Sequence, residues 1–176
     1  VIFFFGEQTA TSLLFGGLTI PTGTSFREFG MVVPFVQRRQ GGDLHIYVPG
    51  LYATYFPTVW VGTEHYAYAK MLAHCSWYGD VFVVTAPEGQ LVAQAAVEAA
   101  GAWTTALAAG IPALDAVRSL FTTLPVLGRR ARGDFVISRF AWDLGDGSAR
   151  PGDARISLAA PTLPSVPARE CVDLPG

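Results

Sequence analysis

Short apolar segments separated by turn residues recur along the chain. They are rich in Val, Phe, Tyr, Trp and Thr and lie between Gly, Pro and Asp residues, a pattern typical of β-strands joined by tight turns. The sequences Gly41-Gly42-Asp43, Pro87-Glu88-Gly89 and Asp143-Leu144-Gly145-Asp146-Gly147 favour reversals, and therefore antiparallel neighbours. We predict a mainly β protein of the α+β class, with strands at residues 26–35, 44–48, 58–61, 81–85, 91–97, 135–142 and 156–159.

One segment has helical rather than strand periodicity. Apolar residues recur at helical spacing over residues 114–121, after Pro112, which suits a first helical turn, and Pro125 ends the segment. We predict one helix there, packed against the sheet. Exposed strand edges are a hazard for so apolar a chain, so we expect a curved or closed, barrel-like antiparallel sheet. Residues 161–167 are rich in proline and predict an extended linker.

Length and composition indicate one domain with a substantial apolar interior. The 176 residues are enough for one substantial core, so we expect a single domain over residues 1–176. The chain has 51% hydrophobic and 15% charged residues, so we expect a filled or lined protein interior and contacts between subunits of a homo-oligomer. A net charge of −2 with scattered arginines argues against nucleic-acid binding. No bilayer-spanning stretch or leader pattern is found, so we expect no membrane partner and a cytoplasmic location.

The chain has a single lysine, Lys70, among its twelve Lys and Arg residues. It lies among aromatic and apolar neighbours over residues 64–72 rather than in a charged surface segment. Arginine stays protonated in proteins, whereas a lysine removed from water can lose its proton and become a nucleophile. A coding bias against lysine explains the many arginines but not this position. The alternative to a reactive amine is a lysine at the edge of the core that extends its charge to solvent.

The residues before Lys70 also carry reactive groups. If residues 64–70 form an extended strand, side chains alternate, and Glu64, Tyr66, Tyr68 and Lys70 share one face. That face would hold an acid, two phenols and an amine. This grouping makes the segment the first candidate for a catalytic site.

A second acidic residue lies in a predicted buried strand. Glu28 falls within the apolar strand predicted at residues 26–35, and a buried carboxylate requires a partner. Glu28 and Glu64 are therefore candidates for proton transfer. The alternative for either glutamate is a salt bridge with an arginine at the rim of the sheet.

Other reactive groups form no comparable pattern. His45, His65 and His74 lie on different segments, and their spacing predicts no metal site. Cys75 and Cys171 show neither a disulfide framework nor metal-ligand spacing, so we interpret both as ordinary thiols. The glycines form no phosphate-binding loop. We therefore expect no metal and no cofactor.

The segment around the lysine resembles a known family signature. Val61-Gly62-Thr63-Glu64-His65-Tyr66-Ala67-Tyr68-Ala69-Lys70-Met71-Leu72 is similar to the signature of the acetoacetate decarboxylase superfamily, a Gly-Arg-Glu triplet followed by an aromatic-Pro-Lys-Lys-Leu run. Phe26-Arg27-Glu28-Phe29-Gly30, with Pro34, resembles the family's Tyr-x-Glu-x-Gly strand. Gly42-Asp43-Leu44-His45 resembles its next strand, and residues 164–172 resemble its Leu-Pro-Val ending. The resemblance covers residues 10–176.

The resemblance implies a barrel-like fold with an interior pocket, cytoplasmic oligomers, and an imine between Lys70 and a keto substrate. Thr63 stands where the family has Arg, Ala69 where it has Pro, and Met71 where it has a second lysine. That second cation activates the amine in acetoacetate decarboxylase, the standard example of such activation. Here burial alone would have to release the proton. The family's front portion has no clear counterpart. The implied catalytic residues are Lys70, Glu28 and Glu64, and the implied substrate-binding residues are Tyr66, Tyr68 and Met71.

Two functions remain open. The first is a Schiff-base-forming lyase of specialised metabolism that acts on a ketone or 2-keto acid by decarboxylation, aldol addition with dehydration, or cyclisation. An ionised glutamate beside Lys70 would favour the ammonium, so this function requires that carboxylate to be protonated or turned away. The second is a cyclase or carrier that keeps the pocket without an imine and binds a hydrophobic, polyketide-like ligand. The aromatic lining for that role would come from Tyr66, Tyr68, Trp60 and Trp77.

Overall fold

The computed structural model describes most of the chain, with gaps between the described ranges. These are residues 1–9, 12–15, 18–21, 23–37, 42–105, 112–130, 134–139 and 148–159. The helices are α1 (Phe56–Glu64) and α2 (Pro112–Thr123). The strands are β1 (Ile2–Gln8), β2 (Ser12–Phe15), β3 (Leu18–Pro21), β4 (Phe26–Val36), β5 (His45–Ala53), β6 (Lys70–Leu72), β7 (His74–Tyr78), β8 (Val81–Thr85), β9 (Leu91–Ala99), β10 (Thr104–Thr105), β11 (Val126–Arg129), β12 (Phe135–Ser138), β13 (Ser148–Ala149) and β14 (Gly152–Leu158).

A six-stranded mixed sheet forms the centre of the fold. Its order is β1-β4-β5-β11-β12, and β6 pairs with β5 outside this path. The β1–β4 and β4–β5 pairs are antiparallel, whereas β5 pairs in parallel with both β6 and β11. A second, antiparallel sheet has the order β14-β9-β8-β7, and two smaller sheets pair β2 with β3 and β10 with β13. The mainly β prediction is confirmed, but the purely antiparallel one is wrong. The described strands do not close into a barrel.

Strand β4 separates two apolar clusters. Side chains alternate along a strand, so Glu28 and Phe29 point to opposite faces. One cluster lies between the two larger sheets and contains Phe29, Tyr52, Cys75, Phe82 and Val84 among its buried residues. The other, which we call the α2 cluster, lies under helix α2 and contains Val32, Ile46, Val48, Leu51, Tyr68, Leu120 and Val126.

The predicted helix is present, but a second helix was missed. Helix α2 begins at Pro112, as predicted, and ends at Thr123. Helix α1 occupies the segment predicted as a strand at residues 58–61 and ends at Glu64. The extended conformation considered for residues 64–70 is therefore not present, since β6 begins only at Lys70. A proline in the first turn of α1 favours helix there, and packing against β5 and β6 outweighs the weak helix propensity of its β-branched residues.

The remaining predictions fall partly outside the described residues. Strand β8 has the predicted bounds, and the Pro87-Glu88-Gly89 turn joins it to β9, with Gly89 at a positive φ of 89°. The turn at residues 143–147 and the linker at 161–167 lie outside the described residues. Neither described helix is long and apolar enough to cross a membrane.

Candidate active site

Lys70 is buried between strand β4 and helix α1. Only 8% of its side chain is exposed. Its Nζ donates hydrogen bonds to Glu28 Oε2 at 3.2 Å and to Thr58 Oγ1 at 2.9 Å. The same nitrogen lies 5.3 Å from the centroid of the Phe26 ring, a cation–π distance. The amine is therefore withdrawn from bulk water and surrounded by a carboxylate, a hydroxyl and an aromatic face.

The backbone around Lys70 fixes the direction of its side chain. Lys70 is opposite Leu51 in the parallel β5–β6 pair. Its own N–H donates to Tyr68 O at 2.8 Å, and the Tyr68 N–H donates to Gly62 O at 3.0 Å. Gly62 lets the lysine stem lie against the helix, because a Cβ at that position would be 2.7 Å from Lys70 Cδ. The loop between α1 and β6 thus directs the amine towards β4.

Ala67 makes the bend in that loop. It adopts a φ of 57°, in the left-handed region that non-glycine residues rarely occupy, and is only 1% exposed. Gly128 on β11 packs directly beneath it, since a Cβ there would be 2.1 Å from the Tyr66 carbonyl oxygen. A strained backbone conformation of this kind persists only when its surroundings hold it in place.

Glu28 is the carboxylate partner that a buried lysine requires. It lies between two paired strands, opposite Gly6 on β1 and Ala53 on β5, and 11% of its side chain is exposed. Oε2 accepts the hydrogen bond from Lys70, and Oε1 accepts one from the Gln8 amide. Both carboxylate oxygens therefore have donors, as a buried carboxylate needs.

These side chains line one cavity of about 900 Å³. Such a volume lies near the top of the range of about 300–1,000 Å³ that is usual for pockets holding drug-sized ligands. The lining is mostly apolar, and its polar members include Lys70, Glu28, Gln8 and Thr58. An apolar cavity with a few convergent polar groups is the usual form of a small-molecule site.

Two tyrosines form another part of the cavity wall. Tyr66 and Tyr68 stack with ring centroids 5.7 Å apart, and both line the cavity. The Tyr68 hydroxyl lies 2.7 Å from Ser138 Oγ. Burial raises the pKa of Tyr68 to about 12, so this phenol stays protonated at neutral pH.

Four predicted site residues lie away from the cavity. Glu64, the last residue of α1, is exposed because the segment is helical and not extended. Met71 alternates with Lys70 along β6 and packs against the cluster between the sheets. Trp60 is 52% exposed on α1 and packs edge-on against His65. Trp77 packs against Phe5 and Phe82.

The sequence did not point to several other lining residues. Gln8, Thr58 and Arg118 were not among the predicted site residues, because each comes from an element whose position depends on tertiary packing. The one sequence feature that could have indicated a lining residue is Gln8, a polar residue at the end of the apolar strand β1. His45 is buried at the start of β5, while His74 on β7 is exposed. In the described part of the chain, no three His, Cys, Asp or Glu residues are grouped to hold a metal ion.

No protein-family profile and no curated protein matches the sequence of this chain. Solved structures do match its fold. The acetoacetate decarboxylase from Legionella pneumophila superposes with a TM-score of 0.56 and 16% identity, over 78% of this chain and 55% of that chain. A second acetoacetate decarboxylase structure gives a TM-score of 0.53 and 19% identity, over 80% of this chain and 57% of that chain.

A third match is a biosynthesis enzyme. The enduracididine biosynthesis enzyme MppR, in complex with the condensation product of pyruvate and imidazole 4-carboxaldehyde, gives a TM-score of 0.52 and 13% identity. The match covers 78% of this chain and 54% of that chain. The chain thus has an acetoacetate decarboxylase-like fold and spans a little over half the length of the structures it matches.

Proposed function

We propose that this protein is a lyase that forms a Schiff base between Lys70 and a ketone or 2-keto acid. The observation that carries the proposal is the position of the chain's single lysine, whose amine is buried at the wall of a large apolar cavity beside one carboxylate. The acetoacetate decarboxylase-like fold and the sequence resemblance around Lys70 support it. Homo-oligomer formation and a cytoplasmic location remain predictions from composition and resemblance.

The Lys70–Glu28 pair supplies a route for the first proton. Transfer from the ammonium to Glu28 Oε2 across 3.2 Å converts an ion pair into a neutral amine and a neutral acid. The carboxyl group that takes this proton stays at hydrogen-bonding distance from the amine, so the proton can be returned later in the reaction. The neutral amine is the form that attacks a carbonyl.

Glu28 then serves as the proton shuttle for imine formation. The Nζ lone pair adds to the carbonyl carbon, and the carbonyl oxygen takes up the proton that the attacking nitrogen loses, which gives a carbinolamine. Loss of that hydroxyl as water, with a proton delivered by Glu28, leaves the protonated imine. The imine can then accept electrons from a departing carboxylate, or lose a neighbouring proton to form an enamine for aldol addition or cyclisation. Thr58 and Tyr68 are proposed to orient the substrate, and Glu64, which is exposed at the end of α1, is not part of the proposed proton route.

A second candidate function rests on the same geometry. The amine has a carboxylate and a hydroxyl at hydrogen-bonding distance, so the Lys70–Glu28 pair also suits a purely structural ion pair at the edge of a pocket. The protein would then bind or cyclise a hydrophobic ligand without an imine. The two functions differ in one respect that can be measured, namely whether Lys70 becomes covalently attached to a ketone.

Borohydride trapping tests the proposal directly. The protein is incubated with pyruvate, acetoacetate or a longer methyl ketone, reduced with sodium borohydride, and digested for peptide mass mapping. We expect a permanent adduct on the peptide containing Lys70, because reduction converts the imine to a stable secondary amine. With one lysine in the chain, the α-amino group at the N-terminus is the main competing amine, and it lies on a different peptide.

The matched variants separate the two functions. Lys70→Arg keeps the positive charge but cannot form an imine, so it should lose the adduct and the turnover together. Glu28→Gln keeps a hydrogen-bonding partner but cannot accept the proton, so it should slow adduct formation by about 10²-fold or more. Ligand binding without any adduct on Lys70 would reject imine chemistry and leave the second function.

A further inference from the structure

Arg118 lines the same cavity from helix α2. It is half-buried, and its backbone carbonyl accepts the hydroxyl of Thr122 at 2.9 Å. Within the described ranges, no carboxylate lies within ion-pair distance of its guanidinium. A planar guanidinium presents paired N–H donors that match a carboxylate in a bidentate arrangement. The side chain is thus available for an anionic group inside the cavity.

The charges of the described cavity lining do not cancel. Its charged residues are Lys70, Glu28 and Arg118. Lys70 and Glu28 neutralise each other at 3.2 Å, whether the proton lies on nitrogen or on oxygen. Arg118 therefore leaves the lining with one net positive charge. In a mostly apolar cavity that charge favours a ligand that carries a negative one.

The cavity extends along strand β4. Glu28 and Val32 both line the cavity from strand β4 and lie four positions apart. At about 3.3 Å per residue, this spacing is about 13 Å. Val32 packs in the α2 cluster with Leu120, whereas Glu28 contacts the amine. The cavity wall along this stretch is apolar and includes Val48 and Leu51 of strand β5.

We infer that the natural substrate is an elongated keto acid, with its ketone at Lys70, an apolar spacer on the order of 10 Å long, and a carboxylate bound by Arg118. This inference rests on the proposed function for the ketone end but adds the recognition residue and the substrate class. A cavity of about 900 Å³ is far larger than pyruvate or acetoacetate requires, so a short acid would leave most of the apolar lining unfilled. Arg118 acts as a specificity residue that contacts the end of the substrate remote from the reaction.

The test uses straight-chain methyl ketones that carry a carboxylate at the far end, together with their methyl esters. Calorimetry and borohydride trapping are applied to each. We expect affinity to rise about fourfold for each added methylene until the carboxylate reaches Arg118. At the best length, the acid should bind about tenfold or more tightly than its ester. Arg118→Gln should remove that preference, and Arg118→Lys should restore part of it.

Two controls make each outcome decisive. Arg155→Gln alters an exposed arginine of β14 that is not part of the described cavity wall, and it should change nothing. Nonanoate has the chain and carboxylate but no ketone, so its binding should fall about tenfold in Arg118→Gln regardless of imine chemistry. If the Lys70→Met variant loses nonanoate binding while the Arg118→Gln variant keeps it, the inference is overturned.

The failure of each proposal has its own signature. Adducts on Lys70 that form equally well with acid and ester would overturn the role of Arg118 and leave the proposed function intact. Absence of any adduct, with nonanoate binding still dependent on Arg118, would overturn the imine and with it the keto-acid substrate. The comparison of acid with ester is made on the unmodified protein, so it remains informative if the Arg118→Gln variant does not fold.

Discussion

Replacing Lys70 with methionine should destabilise the fold through the charge it leaves behind. Methionine fills most of the volume of the lysine stem, so the main loss is the ammonium. Glu28, with 11% of its side chain exposed, would then be a buried carboxylate with the Gln8 amide as its remaining side-chain donor in the described structure. Breaking a buried ion pair by removing one partner costs about 3–5 kcal/mol. Because one hydrogen bond to Glu28 remains, we expect a value near the lower end, about 3 kcal/mol.

The double variant Lys70→Met with Glu28→Gln isolates the cause. It removes both charges and keeps the shape and hydrogen-bonding capacity of the glutamate, so most of the lost stability should return. The free energy of unfolding of the wild type, both single variants and the double variant, measured by urea denaturation at neutral pH, gives the coupling energy directly. We expect a coupling of about 2 kcal/mol or more for this buried pair.

A surface ion pair on the same strand provides the control. Arg27, also on β4, pairs with Glu7 at 2.9 Å, but about 40% of each side chain is exposed. Exposed pairs contribute about 0–1 kcal/mol, so Arg27→Met should change the unfolding free energy only slightly. If Lys70→Met were as stable as the wild type, or the double variant no more stable than Lys70→Met, the Lys70–Glu28 pair would not be buried as described.

Three further predictions concern buried residues outside the cavity lining. Gly128→Ala would put a Cβ 2.1 Å from the Tyr66 carbonyl oxygen. It should therefore lower the unfolding free energy by about 1–3 kcal/mol and reduce borohydride trapping at Lys70. The control is Gly6→Ala, whose Cβ would meet nothing within 4 Å and which should have neither effect. Burial raises the pKa of Cys75 to about 12, so iodoacetamide at pH 8.5 should label it only after unfolding, as peptide mapping can verify. The unfolded chain loses this proton near its ordinary pKa of 9.0 and the folded one near 12, so Cys75 should lower stability as pH rises between those values, and Cys75→Ala should flatten the decline.

The sequence was informative wherever local pattern determines structure. Strand β8 and the start of α2 agree with their periodicity and with the proline before the helix. The aromatic and β-branched residues of helix α1 favour a strand, and the proline in its first turn together with packing against β5 and β6 reverses that preference. The parallel pairing of β5 with β6 was likewise not visible from the residues of either strand.

In the candidate site, too, local features could be predicted from the sequence and tertiary contacts could not. Burial of Glu28 and the unusual setting of Lys70 could be read from their neighbours, since apolar context is a local property. Their contact could not, because it depends on the register that places Gly30 opposite Leu51 and Leu51 opposite Lys70. Arg118 was overlooked because the helix that carries it gives no indication of which cavity it covers.

The close packing of Lys70 against helix α1 has a kinetic consequence. Gly62 lies against the lysine stem, and its carbonyl also accepts the Tyr68 N–H, so the nine-residue helix covers the lysine on this side. Short helices of this kind open locally at a lower free energy than global unfolding. We therefore expect amide hydrogen exchange in α1 to report how long a covalent intermediate on the lysine survives before water hydrolyses it.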